Sequence, residues 1–382
     1  MQCSRKLINE VCWFQEGPGV RNTQYCNDGV KLLNVANLVD GKLDLTTSDR
    51  YISEEEAYGK YAHFLVDEGD FIIASSGIKV EYFEKKMGFV NKSQLPLCMN
   101  TSTIRFKNKD ETVLDIRYFM YFMKSNDFKR QLNRLITGSA QLNFGPSHLN
   151  KMTLPIIELN MQRQIVRILD KLQEIILKKD EQLNNLDLLI KARFVEMFDL
   201  NNSGRKALGD CTDFVDYRGH TPELSKEGNI RMINAKSVGN GFFKFIDEFV
   251  TEETYNSWMH RGFGFPGDIL FVTEGHTFGN TCLIPKDMDK FALGQRVITI
   301  KGHEEIENVF LCSYMQTDMF WKDINVYRTG GTAQGIRSKD LVKVLVPIPP
   351  LKQQIKFKKF FYQVDKSKFW LIILHRVYKE MR

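Results

Sequence analysis

The sequence predicts an α+β chain: two homologous strand-rich domains separated by two long helices, which pair as an antiparallel coiled coil in a pseudo-two-fold arrangement. Three observations carry this. Residues 161–197 form one long stretch with heptad spacing, the pattern before that stretch recurs after it, and a second heptad-like stretch closes the chain.

The central stretch, MQRQIVRILDKLQEIILKKDEQLNNLDLLIKARFVEM, has no Pro or Gly and is rich in good helix formers. Its apolar residues Ile165, Leu169, Leu172, Ile176, Leu183, Leu186, Ile190, Phe194 and Met197 alternate in steps of four and three, interrupted mainly at Lys179. That is a seam for a partner helix, narrower than the stripe of a helix lying on a globular core. At ~1.5 Å per residue the helix is on the order of 55 Å long. The plainer reading, a core helix of one large domain, is countered by the repeat on either side of it.

Residues 1–157 read as the first strand-rich domain. Residues 30–35 (VKLLNV), 70–75 (DFIIAS) and 101–106 (TSTIRF) look like strands. Ser53 before three glutamates looks like an N-cap with an acidic first turn. Residues 115–135 carry a helical pattern with Tyr118, Phe122, Phe128 and Leu132, followed by the polar loop 137–146. Residues 153–157 (TLPII) lead into the central helix, assigned to 158–199.

Residues 200–350 repeat the programme. Asn34 matches Asn234, Gly41 matches Gly241, Glu54-Glu55 match Glu252-Glu253, Gly69-Asp70 match Gly267-Asp268, and Gly77 matches Gly275. Further on, Thr103-Ile104 is aligned with Thr299-Ile300, Phe128-Lys129 with Trp321-Lys322, and the loop 138–141 (GSAQ) with 331–334 (GTAQ). Leu149, Lys151, Pro155, Ile156, Leu159 and Gln162 match Leu341, Lys343, Pro347, Ile348, Leu351 and Gln354, the offset drifting only from 200 to 192. So many matches in order mark a tandem duplication. The last segment, 351–382, carries Phe357, Phe361, Val364, Leu371 and Tyr378 at heptad-like spacing and supplies the seam partner.

Composition narrows the function classes. A net charge of +6 over 382 residues permits an anionic partner without demanding one. Seven cysteines with no CxxC pair read as reduced thiols in a cytoplasmic protein, and the N-terminus has no apolar leader. The longest apolar run, 369–374, is far too short to span a bilayer. The stretch 262–267 (GFGFPG) fits a dinucleotide fingerprint literally, but it contains Pro266 and precedes a strand instead of opening a helix. Residues 330–335 begin like a phosphate-binding loop, but the lysine is missing. With no metal-ligand spacing, no nucleophile motif and no base-holding Asn/Asp-Pro-Pro-aromatic tetrapeptide, no catalytic or metal site is legible.

What remains are polar loops mixing Arg, Lys, Gln, Asn, Ser and His with Gly. In the first domain they are 17–22 with Arg21, 75–79 with Ser75, Ser76 and Lys79, 100–102 with Asn100 and Ser102, and 141–143 with Gln141 and Asn143. In the second they are 218–221 with Arg218 and His220, 273–277 with Thr273 and His276, Gln295-Arg296, and 334–337 with Gln334 and Arg337. Lys31 and Arg231, on the matched strands, complete the candidates. Arg reads guanine and Asn or Gln reads adenine in the major groove, while hydroxyls, Lys and backbone amides hold phosphates. Taken singly, each of these residues is better explained as part of a turn. Two such surfaces on a two-fold spacer suit a bipartite duplex target.

These features together resemble the specificity subunit of type I restriction-modification systems. The resemblance rests on the Pro-Ile approach to each helix (Pro155-Ile156 to Leu159, Pro347-Ile348 to Leu351), on Gln162 and Gln354 three residues later, and on the Gly-Ser/Thr-Ala-Gln loops. It rests also on residues 192–198 closing the central helix and 365–368 (DKSK) in the last one, and it spans essentially the whole chain. It implies two target-recognition domains, each reading half of a split site on double-stranded DNA, and a subunit that does no chemistry. It further implies docking to two methyltransferase (modification) subunits and a restriction/translocase subunit. S-adenosylmethionine, ATP and Mg2+ are then expected on those partners, with none bound by this chain. Family members usually continue the last helix as a charged heptad stretch; here 369–382 runs FWLIILHRVYKEMR, which raises the expectation of a truncated or recombined end. The competing readings are a stand-alone nucleic-acid-modifying enzyme and a structural coiled-coil adaptor without a DNA role.

Overall fold

Short β-branched and aromatic runs bounded by Gly, Asp and Asn build the strands of both repeats. The computed structural model describes residues 4–136, 142–217, 221–330 and 334–380; the side chains of 78, 80, 81, 142 and 369–380 lie outside the description. The chain divides into two units, Met1–Ile175 and Ile176–Arg382, the division falling inside the central helix.

In the first unit β1 (Ser4–Leu7), β2 (Cys12–Glu16), β3 (Val30–Leu33) and β4 (Tyr51–Ile52) precede α1 (Glu54–Tyr58). Then come β5 (Phe71–Ala74), β6 (Met87–Phe89), β7 (Leu97–Met99), β8 (Thr103–Asn108), α2 (Ile116–Lys124), α3 (Asn126–Leu135), β9 (Thr153–Ile156) and the long α4 (Leu159–Met197). A four-stranded antiparallel sheet runs β2-β8-β5-β6, a three-stranded sheet runs β7-β3-β4, and β1 pairs with β9. Every side chain of β5 is buried, and Phe71, Phe106 and Phe119 pack ring on ring beneath α2.

The second unit contains β10 (Arg205–Ala207), β11 (Thr212–Asp216), β12 (Ile230–Ile233), β13 (Phe249–Val250), α5 (Glu252–Trp258) and β14 (Ile269–Val272). It continues with β15 (Thr281–Leu283), β16 (Phe291–Leu293), β17 (Val297–Gly302), α6 (Asn308–Tyr314), α7 (Asp318–Asn325), β18 (Leu345–Pro347) and α8 (Leu351–Glu380). Its sheets run β11-β17-β14-β15 and β13-β12-β16, with β10 on β18. The strand order of the first unit is thereby repeated, including the parallel pairing of β16 with β12 that answers β7 with β3.

Matched residues do matched work. Ser53 and Thr251 cap α1 and α5 by accepting from the backbone amides of Glu56 and Thr254. Gly69 and Gly267 take φ of 85° and 86°, and the following aspartates accept from the amides of Asp67 and Phe265. Gln162 and Gln354 are fully buried near the starts of α4 and α8. Gln162 Oε1 accepts from the Asp115 amide at 3.0 Å while its Nε2 donates to the Val113 and Ile157 carbonyls. Gln354 repeats this with the Glu307 amide at 2.8 Å and the Glu305 and Pro349 carbonyls. Each glutamine thus locks the long helix to the loop ahead of the unit's helical layer. Gln354→Ala orphans buried backbone groups and is expected to destabilise the second unit by about 1–3 kcal/mol in a denaturant titration; a shift no larger than for an exposed helix residue would refute the clamp.

Three sequence expectations are corrected. The helical pattern over 115–135 is two helices, because Ser125 adopts an extended conformation and caps α3 by accepting from the Phe128 amide. Thr103-Ile104 corresponds to Val297-Ile298, since Thr103 pairs with Ala74 as Val297 pairs with Val272. A slip of two residues preserves the in–out alternation of a strand, so hydrophobic pattern alone does not expose it. The counterpart of Phe128 is Phe320, placed by the Thr317 cap as Phe128 is by Ser125.

The long helix α4 packs differently in each unit. In the first, Val166 is buried and Ile165 packs partly buried against the core, and Asp170 accepts from Arg117 at 2.8 Å and from the Tyr121 hydroxyl at 2.7 Å. In the second, Ile190 and Phe194 are buried with Phe357 and Val364, and Leu186 and Phe361 are partly buried against them. The rings of Phe194 and Phe198 lie 5.3 and 5.6 Å from that of Phe357, and Asp187 pairs with Lys368 further along. Residue numbers rise along α4 as they fall along α8, so the two helices run antiparallel. Leu169, Leu172, Ile176 and Leu183 are half-buried; Leu371 lies among the residues whose side chains are outside the description. Leu177, Leu188 and Val195, off the seam, are exposed. No helix among the described residues is long and apolar enough to cross a membrane.

Candidate nucleic-acid interface

In each unit the ends of β2/β11, β5/β14 and β8/β17 emerge together, and the loops that leave them are tied by main-chain bonds. In the first unit the Ser75 amide donates to Ser102 O at 2.8 Å, the Phe144 amide to Ser75 O at 3.0 Å, and the Gly17 amide to Thr103 O at 2.9 Å. Gly17 has no room for a side chain, since a Cβ there would lie 2.0 Å from Asn100 O. The Ser76 hydroxyl meets that of Ser102 at 2.6 Å, and residues 76–78 pair with Leu142–Asn143.

The second unit keeps this plan: the Thr273 amide donates to Arg296 O, the Ile336 amide to Thr273 O, and the Gly275 amide to Gln334 O. Here the loops enclose a cleft of 460 Å³ lined by Thr273 to Gly275, Gln295, Arg296, Thr329, Gly330 and Gly335 to Arg337. Arg296 and its counterpart Ser102 adopt φ of 70° and 65°, left-handed conformations that are uncommon for residues with a side chain. Arg296 Nε pairs with Glu274 at 2.9 Å, and Arg337 Nε donates to Asp340 at 2.8 Å. Burial raises the Asp340 carboxyl, but the bonds from Arg337 and Lys343 outweigh it and hold that carboxyl below its ordinary value.

The candidates divide by where their side chains go. Arg296 and Arg337 line the cleft together with Thr273, while exposed Gln334 accepts from the Gly275 amide at the rim through its carbonyl and exposed His276 follows on the Thr273 loop. Ser76, Ser102 and exposed Asn143 gather at the matching end of the first unit, with exposed Lys79 on the neighbouring loop and exposed Arg21 beyond β2. Ser75 and Thr273 are buried, contributing backbone. Asn100 is buried too: it donates to Asn34 Oδ1 at 2.8 Å and accepts from the Thr101 amide. Lys31 lies apart on β3, bound to Asp49 at 3.1 Å and to the Tyr51 hydroxyl. Its counterpart Arg231 pairs with Asp247 and stacks on Phe249, with the ring centre 4.8 Å away. Gln141, Arg218 and His220 lie outside the described residues. Sequence reasoning missed Thr329 and Gly330 in the cleft wall; their place just before the repeated GTAQ loop was the available signal.

Burial pushes the thiols of Cys12, Cys98 and Cys312 up to about 12, which suits packing groups and not nucleophiles.

Comparison with known proteins places the chain. Residues 7–187 and 208–372 match the family model described as the type I restriction modification DNA specificity domain. The chain belongs to that family. The two matches cover both repeats of the specificity domain, as the duplicated sheets require. Among curated relatives, the type I restriction enzyme MjaVIII specificity subunit of Methanocaldococcus jannaschii is 26% identical over 183 residues, or 46% of this chain and 41% of that protein. The putative MjaX specificity subunit of the same organism is 23% identical over 365 residues, covering 88% of this chain and 80% of that one. The fold of the type I restriction-modification S subunit from M. genitalium superposes with a TM-score of 0.58 at 15% identity, covering 100% of this chain and 94% of that one.

Proposed function

We propose that this chain is the DNA-sequence-specificity subunit of a type I restriction-modification complex. Each unit reads one half of a bipartite duplex site, and the chain docks two methyltransferase subunits and a restriction subunit while catalysing nothing itself. S-adenosylmethionine, ATP and Mg2+ belong to those partners, and the complex works in the cytoplasm. The observation that carries the reading is the duplicated loop cluster within two matched specificity domains. In one copy two arginines and a glutamine stand at a cleft. Arg and Gln are the side chains that read guanine and adenine edges.

The test is selection of duplexes from a randomised library by the full chain assembled with its methyltransferase subunits. A split motif with two constant halves is the expected product; an unstructured pool would overturn the reading. The purified chain alone is expected to show no methyltransferase, nuclease or ATPase turnover. To Lys79, exposed on a loop of the first cluster, we assign a phosphate contact. Lys79→Ala should weaken cognate and non-cognate DNA alike and reduce the log–log salt slope by about 1. A change confined to one base position would assign Lys79 to base reading instead.

A further inference from the structure

Each cleft arginine has a carboxylate beside it. Glu274 pairs with Arg296 and Asp340 with Arg337, the nearest guanidinium nitrogen being Nε in both, at 2.9 and 2.8 Å; the first contact is an ion pair and the second a hydrogen bond. Among the described residues no hydrogen bond engages the terminal nitrogens of either guanidinium. A guanidinium offers five donors on a rigid planar fork. A carboxylate on the Nε edge, as Asp340 is on Arg337, orients the plane and leaves the terminal pair of donors for a ligand. Those terminal donors match the O6 and N7 acceptors of guanine. The two acids come from different elements: Glu274 follows β14, and Asp340 lies in the short helical turn Ser338–Leu341 ahead of β18. Asp340 is itself anchored, largely buried and bonded to Lys343. Arg296 and Glu274 are both about half exposed. An ion pair so exposed adds little to folding stability, so its place at the reading cleft calls for another explanation.

We propose that Glu274 and Asp340 are positioning residues for base recognition: each orients one cleft arginine toward a guanine edge and repels phosphate, so that the arginine discriminates between sequences instead of binding any duplex. This rests on the DNA-specificity reading above. A carboxylate beside an arginine lowers the local positive potential and penalises the backbone contact on which non-specific binding depends. It also holds the guanidinium in the plane that a base edge requires, a form of pre-organisation.

The experiment compares wild type, Glu274→Gln, Glu274→Asp and Asp340→Asn, each assembled with the methyltransferase subunits, by library selection and by titration of a shuffled duplex at several salt concentrations. If wild type selects no motif, the specificity reading fails and this inference falls with it. If wild type selects a motif, Glu274→Gln should lose preference at a guanine position in one half-site, by roughly five- to tenfold, within the range of one base contact. Its affinity for the shuffled duplex should rise and its salt slope steepen by about 1, a change that a purely structural role would not produce. Glu274→Asp should restore most of the preference. Asp340→Asn should act in the same way at another position of that half-site, and it carries the test if Glu274→Gln fails to fold. A wild-type motif retained by the folded variants, with unchanged affinity for the shuffled duplex, overturns the proposal.

Discussion

Replacing Arg296 and Arg337 together by Ala should abolish sequence preference in one half of the DNA site and leave the other half intact. Both side chains reach the same cleft in the second unit, and neither is committed to the core. Each bidentate contact to a base is worth about 1–3 kcal/mol of discrimination, roughly 5- to 150-fold. The double variant should therefore lose more than either single one. The readout is the motif selected from a randomised library, half by half. Equal loss in both halves would mean that the cleft is not a half-site reader; no loss would remove these arginines from recognition altogether. Arg296→Gly separates recognition from folding. At φ 70° glycine removes the backbone strain that arginine carries, so a loss of recognition in that variant cannot be attributed to a damaged fold.

Phe357→Ala is expected to produce the largest loss of stability. Phe357 is completely buried, with the rings of Phe194, Phe198 and Phe361 around it at 5.3, 5.6 and 6.4 Å. It sits where the antiparallel pair of α4 and α8 joins the core that includes Phe310. Truncating a buried Phe removes transfer energy and leaves a cavity, together about 3–5 kcal/mol. Leu188→Ala supplies the comparison, since Leu188 lies on α4 off the seam and is 61% exposed; a surface change of that kind is worth about 0.5 kcal/mol or less. Denaturant titration of the full chain measures both. If the two variants proved equally stable, Phe357 would not be the residue that fastens α8 to the second unit.

Much of the architecture was legible because its signals are local and periodic. The heptad spacing of residues 165–197 marks the side of α4 that is buried, with Ile190 and Phe194 inside and Leu188 and Val195 outside. The caps at Ser53 and the Gly-Asp turns before β5 and β14 could be read because each satisfies its own neighbours within three residues. The repeat was legible because two copies of one pattern share an order, although the alignment slipped wherever a strand tolerates a two-residue shift.

The site was less legible, and the reason is physical. Asn100 and Gln334 look alike as polar loop residues, yet Asn100 is closed off by Asn34, a partner 66 positions away in sequence. Lys31 and Arg296 are both bases near strand ends. The first is drawn into a pair with Asp49 over the Tyr51 ring, and the second projects at a cleft whose walls come from three separated loops. The sequence alone determined the duplicated α+β plan, the long helices, the caps and the family, because these depend on local spacing and on its repetition. Which polar side chains hold the fold and which stay exposed at the loop clusters was decided only by the tertiary structure, because a side chain's partners come from other strands and loops, as Asn34 does for Asn100 and Asp49 for Lys31.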